Sequence, residues 1–257
     1  MEVVIQSSAK AAALVAVQQI ARALRANPRL VLGLATGRTM EGVYARLAWL
    51  HREEELDFSG CHTFNLDDYV GLPREHPNSY HYYMRQHLFR HVNINLENTH
   101  LPDGMAPDLE VECARYEELI ARTGGIDLQL LGMGQNGHLG FNEPLSAFYS
   151  RTRVQVLSPA THEQNGSLFA SPAEMPKRAI TMGLGSILES RRCLLLVTGE
   201  QKAEIVARAL EGPVTSMVPA TALQFHPHCT VILDEAAASR LEYIGQEHTL
   251  LQEQRVD

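Results

Sequence analysis

Residues 30–39 have the sequence LVLGLATGRT, a continuous apolar run followed at once by the turn Thr36-Gly37-Arg38-Thr39. An apolar run without polar alternation is typical of a strand that is buried on both faces, as strands of parallel sheets are. The run CLLLV at 193–197 has the same character. The two runs predict an α/β fold whose central strands are covered on both sides.

Apolar runs and helical patterns alternate along the rest of the chain, which indicates parallel pairing of the strands. The predicted strands are 3–5, 30–35, 62–66, 126–132, 193–198 and 229–233, and the predicted helices are 8–26, 40–52 and 201–210. We therefore expect one domain, 1–257, built on a doubly wound, mostly parallel, Rossmann-like sheet with helices on both faces. Residues 145–176 show little periodicity, and they form either a lid over the site or a long surface connection.

The composition limits the class of partner. The chain has 257 residues and a formal net charge of −8, so its surface on average repels nucleic acid and anionic membranes. An anionic substrate would therefore need a local cationic pocket. The four cysteines lie far apart without a CxxC pair, which favours reduced thiols in a cytoplasmic protein. We predict neither a signal peptide nor a membrane span.

Four segments follow predicted strands and are therefore candidates for the site. Ligands of doubly wound sheets bind beyond the carboxyl ends of the strands. The segments at these ends are 36–39, 67–68, 134–143 and 198–202. We expect them to lie close together.

The stretch 130–144, LLGMGQNGHLGFNEP, is the richest of these in chemistry. Its glycines at 132, 134 and 137 spell G-x-G-x-x-G, the pattern of dinucleotide-binding turns. The residues that follow contradict that interpretation, because Gly140 and Pro144 favour a loop over the required helix. Moreover, Leu157 stands where an acidic residue would bind the ribose.

His138 and Glu143 in this stretch form a candidate pair for proton transfer. A histidine in a glycine turn beyond a strand is well placed for acid–base chemistry, and a nearby carboxylate would orient its imidazole. The alternatives are a purely structural histidine and a zinc ligand. Zinc is less favoured because no third ligand has a recognisable spacing, and we predict no metal.

The turn Thr36-Gly37-Arg38-Thr39 is a candidate anion cradle. Backbone N–H groups at a helix N-terminus favour anions, and Arg38 adds a positive charge. The turn resembles a Walker A loop, but it is one residue short and has arginine in place of lysine. The alternative is an ordinary strand–helix turn capped by Thr39.

Lys202 is predicted to lie in the first turn of the helix 201–210. A cation at this position opposes the helix dipole unless an anion is bound between them. Together with Arg38 at another strand end, it suggests a shared phosphate site. The alternative is a solvated lysine paired with Glu200 or Glu204.

Asp67 and Asp68 directly follow the predicted strand 62–66. Neighbouring side chains on a strand point to opposite sides, so we expect one of the two to face the crevice. There it could act as a general base with a pKa raised by burial. It could instead bind Mg²⁺ or simply begin a turn.

Taken together, these segments resemble the glucosamine-6-phosphate deaminase family. The matching stretches are LATGRT (34–39), FNLDDYVGLPREHPNSY (64–80), LGMGQNGHLGFNEP (131–144), SRTR (150–153), VTGEQK (197–202) and VPATALQFHP (218–227). They cover nearly the whole chain in the family's order. The related 6-phosphogluconolactonases share the GxGxxGH turn but typically lack FNEP and DDYVGLP.

The resemblance implies an isomerisation and deamination of glucosamine 6-phosphate to fructose 6-phosphate and ammonia, in amino-sugar catabolism. By this resemblance His138 opens the sugar ring with support from Glu143, and Asp67 transfers the proton of C2. The loop 36–39 and Lys202 bind the phosphate. No cofactor is implied, because the substrate's own carbonyl stabilises the enolamine.

Three positions depart from well-known members of the family. Asn136 replaces an aspartate of the ring-opening relay, so we expect His138 to depend more on Glu143. Ser167 aligns with a phosphate-binding arginine, which Arg38 would replace from another direction. Gln155 stands where the allosteric enzymes have lysine beside the effector-site arginine, which is Arg153 here. We therefore expect no activation by N-acetylglucosamine 6-phosphate.

The sequence leaves several alternatives open. A galactosamine-6-phosphate deaminase differs in one substrate hydroxyl, although YVGLP favours glucosamine. A lactone hydrolase acting on 6-phosphogluconolactone and a non-catalytic sugar-phosphate-binding regulator are the other candidates. A homo-oligomer is compatible with the sequence, but the polar tail 241–257 gives no clear interface.

Overall fold

A seven-stranded parallel sheet forms the centre of the computed structural model, which describes residues 1–243. The strands in this range are β1 (Glu2–Gln6), β2 (Val31–Leu34), β3 (His62–Asn65), β4 (Asp67–Tyr69), β5 (Thr99–His100), β6 (Leu128–Leu131), β7 (Arg153–Val156), β8 (Arg178–Thr181), β9 (Cys193–Val197) and β10 (Cys229–Asp234). The α-helices are α1 (Ala9–Ala26), α2 (Arg38–Glu54), α3 (Tyr80–His87), α4 (Leu109–Arg122), α5 (Pro159–Gly166), α6 (Leu184–Leu188), α7 (Ala203–Leu210) and α8 (Glu235–Ala238), and short 3-10 helices span Phe89–His91, Leu96–Asn98, Pro172–Glu174, Glu200–Lys202 and Pro219–Phe225.

The central sheet has the strand order β1-β10-β9-β6-β2-β3-β5. Every residue of β2, β6 and β9 is buried, which requires cover on both faces of the sheet. The chain runs from β2 outward to β3 and β5, and then from β6 outward in the other direction. The direction in which the chain adds strands to the sheet therefore reverses between β2 and β6, and ligands of such folds bind at this switch point. The predicted doubly wound α/β fold is confirmed.

A second sheet of three antiparallel strands, in the order β4-β8-β7, was not predicted. Its strands are three or four residues long and contain charged residues, so they lack a clear apolar period. An apolar cluster of its own lies beside this sheet, formed by Tyr69, Phe141, Leu157, Phe169, Met175 and Ala179. Strand β7 and helix α5 belong to the segment 145–176, so this segment contains regular structure. Its two interpretations, as a lid over the site or as a long surface connection, both stay predictions.

The six predicted strands and three predicted helices are all present, with shifted ends. Helix α2 begins at Arg38 rather than Met40, and helix α7 begins at Ala203 rather than Gln201. The four cysteines are free and buried, as expected of reduced thiols. Among the described residues, no helix has the length and apolarity needed to cross a membrane. The predicted polar tail 241–257 lies, from residue 244 onward, outside the described residues.

Leu145 has a left-handed backbone conformation, with φ 74°, and an exposed fraction of 73%. For a residue with a branched side chain this conformation costs about 1–2 kcal/mol, and glycine avoids that cost. We expect Leu145→Gly to stabilise the protein by about 1 kcal/mol and to raise Tm by roughly 2–4 °C in a thermal melt. Leu96→Gly is the control, since Leu96 is also exposed but has a negative φ; it should lower Tm. An unchanged or lower Tm for Leu145→Gly would contradict the assignment of strain.

Candidate active site

A cavity of about 560 Å³ lies beyond the carboxyl ends of β3, β2, β6 and β9, which are neighbours in the sheet. Each of the four segments expected at these strand ends contributes to its wall. Seven of the nine candidate residues line the cavity, namely Thr36, Gly37, Arg38, Thr39, Asp67, His138 and Lys202. The other two, Asn136 and Glu143, lie behind His138 and are joined to it by hydrogen bonds and charge. The strand arrangement therefore gathers the candidate groups in one place.

His138, Asn136 and Glu143 form a chain of hydrogen bonds. The imidazole Nδ1 of His138 lies 2.7 Å from Oδ1 of Asn136, and Nδ2 of Asn136 donates to Oε2 of Glu143 at 2.9 Å. The direct distance from Nδ1 to Oε2 of Glu143 is 3.8 Å, which is too long for a hydrogen bond. The expectation that His138 depends on Glu143 is therefore refined: Asn136 stands between them and makes both contacts.

Asn136 determines which nitrogen of the His138 imidazole carries the proton. A carboxylate only accepts hydrogen bonds, so the amide nitrogen of Asn136 faces Glu143 and its carbonyl oxygen faces His138. Nδ1 must then carry the proton, which leaves a lone pair on Nε2 of the neutral ring. Burial lowers the pKa of His138, and the charge of Lys202 lowers it further, against the opposing effect of Glu143. His138 is therefore a neutral base at neutral pH.

Glu143 is held as a carboxylate by donors from the segment 145–176. Burial alone would raise its pKa, but hydrogen bonds from Thr161, from Asn136 and from the N–H of Ser158 outweigh burial, and the pKa is lowered. The Thr161 hydroxyl and the Ser158 N–H, the latter at 3.2 Å, both donate to Oε1. The negative end of the chain is thereby fixed by helix α5.

Close approach, rather than nucleotide binding, explains the glycines of this loop. A Cβ on Gly134 would lie 2.2 Å from Cε1 of His138, so the ring packs directly on the backbone there. Gly140 has φ 58°, and a Cβ there would come within 3.1 Å of Oδ2 of Asp67. Residues 139–144 form turns and an isolated bridge instead of a helix, as the sequence predicts.

Asp67 faces the cavity and Asp68 does not, as expected for neighbouring residues of a strand. The exposed fraction of Asp67 is 5%. Burial raises its pKa, and the charge of Asp68 raises it further. Asp68 instead accepts the N–H groups of Tyr69 and Tyr80, at 2.7 and 2.9 Å. Its own pKa is about 6, because burial outweighs these hydrogen bonds. Asp67 is thus a buried carboxylate with enhanced basicity.

The turn 36–39 is the start of a helix and has no side-chain cap. Gly37 occupies the N-cap position with φ 106° and ψ 167°, so the alternative in which Thr39 caps the helix is wrong. The first two N–H groups of α2, those of Arg38 and Thr39, have no partner within the helix. The side chain of Arg38 is exposed and makes neither a hydrogen bond nor an ion pair with another described residue. This turn offers an anion both backbone donors and a free guanidinium.

Lys202 is directed inward rather than toward the neighbouring glutamates. Its Nζ donates to the carbonyl of Met133 at 2.8 Å, and no ion pair joins it to Glu200 or Glu204 in the described structure. Burial lowers its pKa to about 8. The solvated alternative is therefore wrong, and the side chain is a half-buried cation in the cavity wall whose charge an anionic ligand would stabilise.

The sequence analysis missed the residues that complete the cavity wall. They are Tyr80 and Tyr83 of α3, Asn165 of α5, and Phe169, which follows α5. The ring of Tyr80 stacks on Phe141 with centroids 6.1 Å apart. The cluster of tyrosines in NSYHYYM (78–84) is the signal that could have revealed α3. Among residues 1–243, no group of three or more His, Cys, Asp or Glu side chains is placed to hold a metal ion.

Arg153, the candidate effector-site residue, points to the chain's own loop. It donates to Oδ1 of Asn142 at 2.8 Å and to the Ser146 hydroxyl at 3.0 Å. The side-chain amide of Gln155 bonds only to the neighbouring carbonyl of Val156 among the described residues. The expected absence of activation stays a prediction.

Known proteins resemble this chain over most of its length. Residues 5–232 match the family model described as glucosamine-6-phosphate isomerases/6-phosphogluconolactonase. The chain belongs to this family. A relative from Halothermothrix orenii, named glucosamine-6-phosphate deaminase, is 50% identical over 92% of this chain and 96% of its own. One of the same name from Thermoanaerobacter pseudethanolicus is 48% identical over 87% of this chain and 88% of its own.

Solved structures of the family share the fold. One described as a monomeric glucosamine-6-phosphate deaminase superposes with a TM-score of 0.92 at 44% identity, covering 93% of this chain and 100% of that one. The 6-phosphogluconolactonase from Trypanosoma cruzi has a TM-score of 0.75 at 22% identity and covers 93% of this chain and 96% of its own. The resemblance that the sequence motifs indicated is confirmed.

The contact between Asn136 and His138 leads to a prediction for Asn136→Asp. A carboxylate against Nδ1 would stabilise the imidazolium, so the pKa of His138 should rise by at least one unit. The measurement is an NMR titration of the His138 ring protons. Asn95→Asp, which adds a carboxylate at an exposed site of the same chain, should leave that pKa unchanged. If His138 titrates identically in Asn136→Asp and in the unmodified protein, the two side chains are not in contact.

Proposed function

We propose that this protein is a glucosamine-6-phosphate deaminase, which converts glucosamine 6-phosphate to fructose 6-phosphate and ammonia. The observation that carries the proposal is that one cavity holds a buried basic carboxylate, a neutral imidazole and a positively charged turn that can bind an anion. The first two groups suit the proton transfers of an aldose–ketose isomerisation. The third suits the phosphate of the sugar. The names of the relatives support the same activity.

The phosphate would bind at the turn 36–39, between the N-terminus of α2 and Lys202. The N-terminal N–H groups and the helix dipole favour an anion there. Arg38 and Lys202 approach this part of the cavity from the ends of two strands, β2 and β9. Ser167, which replaces the arginine of other members, lies in the same wall. Arg38 is thus in a position to supply the missing guanidinium.

His138 would open the sugar ring. The lone pair on Nε2 accepts the proton of the hydroxyl on C1, and the imidazolium returns that proton to the ring oxygen as the bond from C1 to this oxygen breaks. The aldehyde forms at C1, so atoms and charge balance. The transient imidazolium is stabilised through Asn136 by the carboxylate of Glu143, which lies 3.8 Å from Nδ1.

Asp67 would then act on the open chain. Its carboxylate removes the proton from C2 while a proton of the C2 ammonium group passes to the oxygen on C1, which yields an enolamine. Asp67 then delivers the C2 proton to C1, and a protonated imine is left at C2. Water then adds to the imine at C2, and ammonia leaves to give fructose 6-phosphate. The high pKa that burial and Asp68 give to Asp67 strengthens it as a base for this weak carbon acid.

We also propose that the enzyme works in the cytoplasm, where its four buried free thiols would stay reduced. A homo-oligomer stays a prediction. The solved neighbour at 44% identity is described as monomeric, which favours a single chain as the active unit.

The proposed activity is tested by comparing three substrates with the purified protein. Glucosamine 6-phosphate should yield ammonia and fructose 6-phosphate, whereas galactosamine 6-phosphate and 6-phosphogluconolactone should react at least tenfold more slowly. Asp67→Asn should lower kcat by about 10²-fold or more, because an amide cannot accept the C2 proton. Asp57→Asn is the control, since Asp57 is an exposed aspartate outside the cavity wall, and it should retain turnover. Wild-type turnover in Asp67→Asn would disprove the assignment of the base.

Arg38→Ala tests the phosphate site. Loss of a charged hydrogen bond typically costs about 1.5–3 kcal/mol, so KM for glucosamine 6-phosphate should rise about tenfold or more. Steady-state kinetics measure this change. Arg46→Ala is the control, because Arg46 lies on the same helix with its guanidinium 3.5 Å from the ring centre of Trp49, away from the cavity. An unchanged KM in Arg38→Ala would show that Arg38 does not bind the phosphate.

A further inference from the structure

We propose that Tyr83 is a positioning residue that holds the phosphate-binding turn in its binding conformation. Its hydroxyl donates to the carbonyl of Gly37 at 2.8 Å, across 46 positions of sequence. This inference rests on the proposed function, because it assigns the turn 36–39 to the phosphate of the substrate. It adds a residue of α3 that does not itself carry the phosphate.

The conformation of Gly37 is the reason that the turn needs support. Its φ of 106° lies in a region that glycine enters freely, and the space beside its Cα is open. A glycine in an open position has many alternatives of similar energy. Each alternative would redirect the N–H groups that follow. The N–H of Met40 donates to the Gly37 carbonyl at 2.9 Å, and an external donor to the same carbonyl strengthens the selection of one conformation.

Two tyrosine hydroxyls supply such contacts, one to the peptide group before Thr36 and one to the peptide group before Arg38. Tyr44, which is fully buried in α2, donates to the carbonyl of Ala35, and Tyr83 donates to that of Gly37. In a trans peptide the carbonyl and the following N–H point in opposite directions. Holding these two carbonyls therefore also sets the directions of the N–H groups of Thr36 and Arg38.

The two tyrosines also support each other. Their rings meet edge to face, with centroids 6.4 Å apart, a favourable arrangement for aromatic pairs. Burial raises the pKa of Tyr83, as does the charge of Glu41. The hydroxyl therefore keeps its proton over the whole working range of pH and remains a donor.

Helix α3 connects this contact with the base. The N–H of Tyr80 donates to Oδ1 of Asp68 at 2.9 Å, and Asp68 is the strand neighbour of Asp67 on β4. Tyr83 lies one turn further along the same helix. The chain of contacts thus runs from Asp67 through α3 to Gly37, and it fixes the distance between the base and the phosphate site. A substrate bound by its phosphate would then already have C2 oriented toward Asp67.

The experiment uses the single-atom change Tyr83→Phe, with Tyr82→Phe as the matched control. The Tyr82 hydroxyl has no hydrogen-bond partner among the described residues and lies outside the cavity wall. For Tyr83→Phe, KM for glucosamine 6-phosphate and Ki for inorganic phosphate should each rise about fivefold, the usual effect of one hydrogen bond. The kcat should stay within about twofold, and Tm should match that of Tyr82→Phe. Tyr82→Phe should retain both constants.

Three outcomes would overturn the inference. The first is Tyr83→Phe with unchanged KM and Ki. The second is a parallel loss of Tm and activity, which indicates a role in stability alone. The third is the absence of phosphate binding to the unmodified protein by calorimetry. Failure of the proposed function is a separate result: if glucosamine 6-phosphate is not turned over, the ratio of the phosphate Kd values of Tyr83→Phe and Tyr82→Phe still decides the role of Tyr83.

Discussion

The burial of both faces of the central strands is the constraint on which the rest of the structure depends. Strands β2, β6 and β9 have no exposed residue, so they have no surface on which to display polar groups. The chain can place its chemistry only where these strands end. Because the strands are parallel, their carboxyl ends share one edge, and the change of direction between β2 and β6 opens a crevice there. Packing therefore determines the location of the cavity before any functional side chain is considered.

The same burial sets the protonation of the groups in that crevice. It raises the pKa of Asp67 and lowers the pKa values of His138 and Lys202, each toward the neutral form. Glu143 is the exception, because hydrogen bonds from Thr161 and Asn136 outweigh burial and keep its charge. The cavity thus combines a fixed negative charge behind a neutral imidazole with a basic carboxylate on the other side. This arrangement suits the transfer of protons to and from carbon and oxygen atoms of a substrate. One physical effect thus prepares several residues at once.

The sequence predicts the large elements and the strand ends well, because apolar runs and helical periods are strong local signals. The strand and helix before the turn 36–39, and the loop that holds His138, follow from such signals. The second sheet does not, since β4, β7 and β8 are short and charged. Helix α3 was also missed. The hydrogen bond of Thr161 to Glu143 joins residues 18 positions apart through tertiary packing, and no local pattern records such a contact.

Asn136 shows how contact geometry changes the meaning of a substitution. Read as a sequence change from aspartate, it removes a charge from the proton relay and leaves His138 dependent on Glu143. In the structure the amide does something that a carboxylate cannot do, because it accepts from His138 on one side and donates to Glu143 on the other. A second carboxylate would repel Glu143 and would need a proton to make the same pair of contacts. The amide therefore preserves the direction of the relay and leaves its negative charge at Glu143, where α5 holds it.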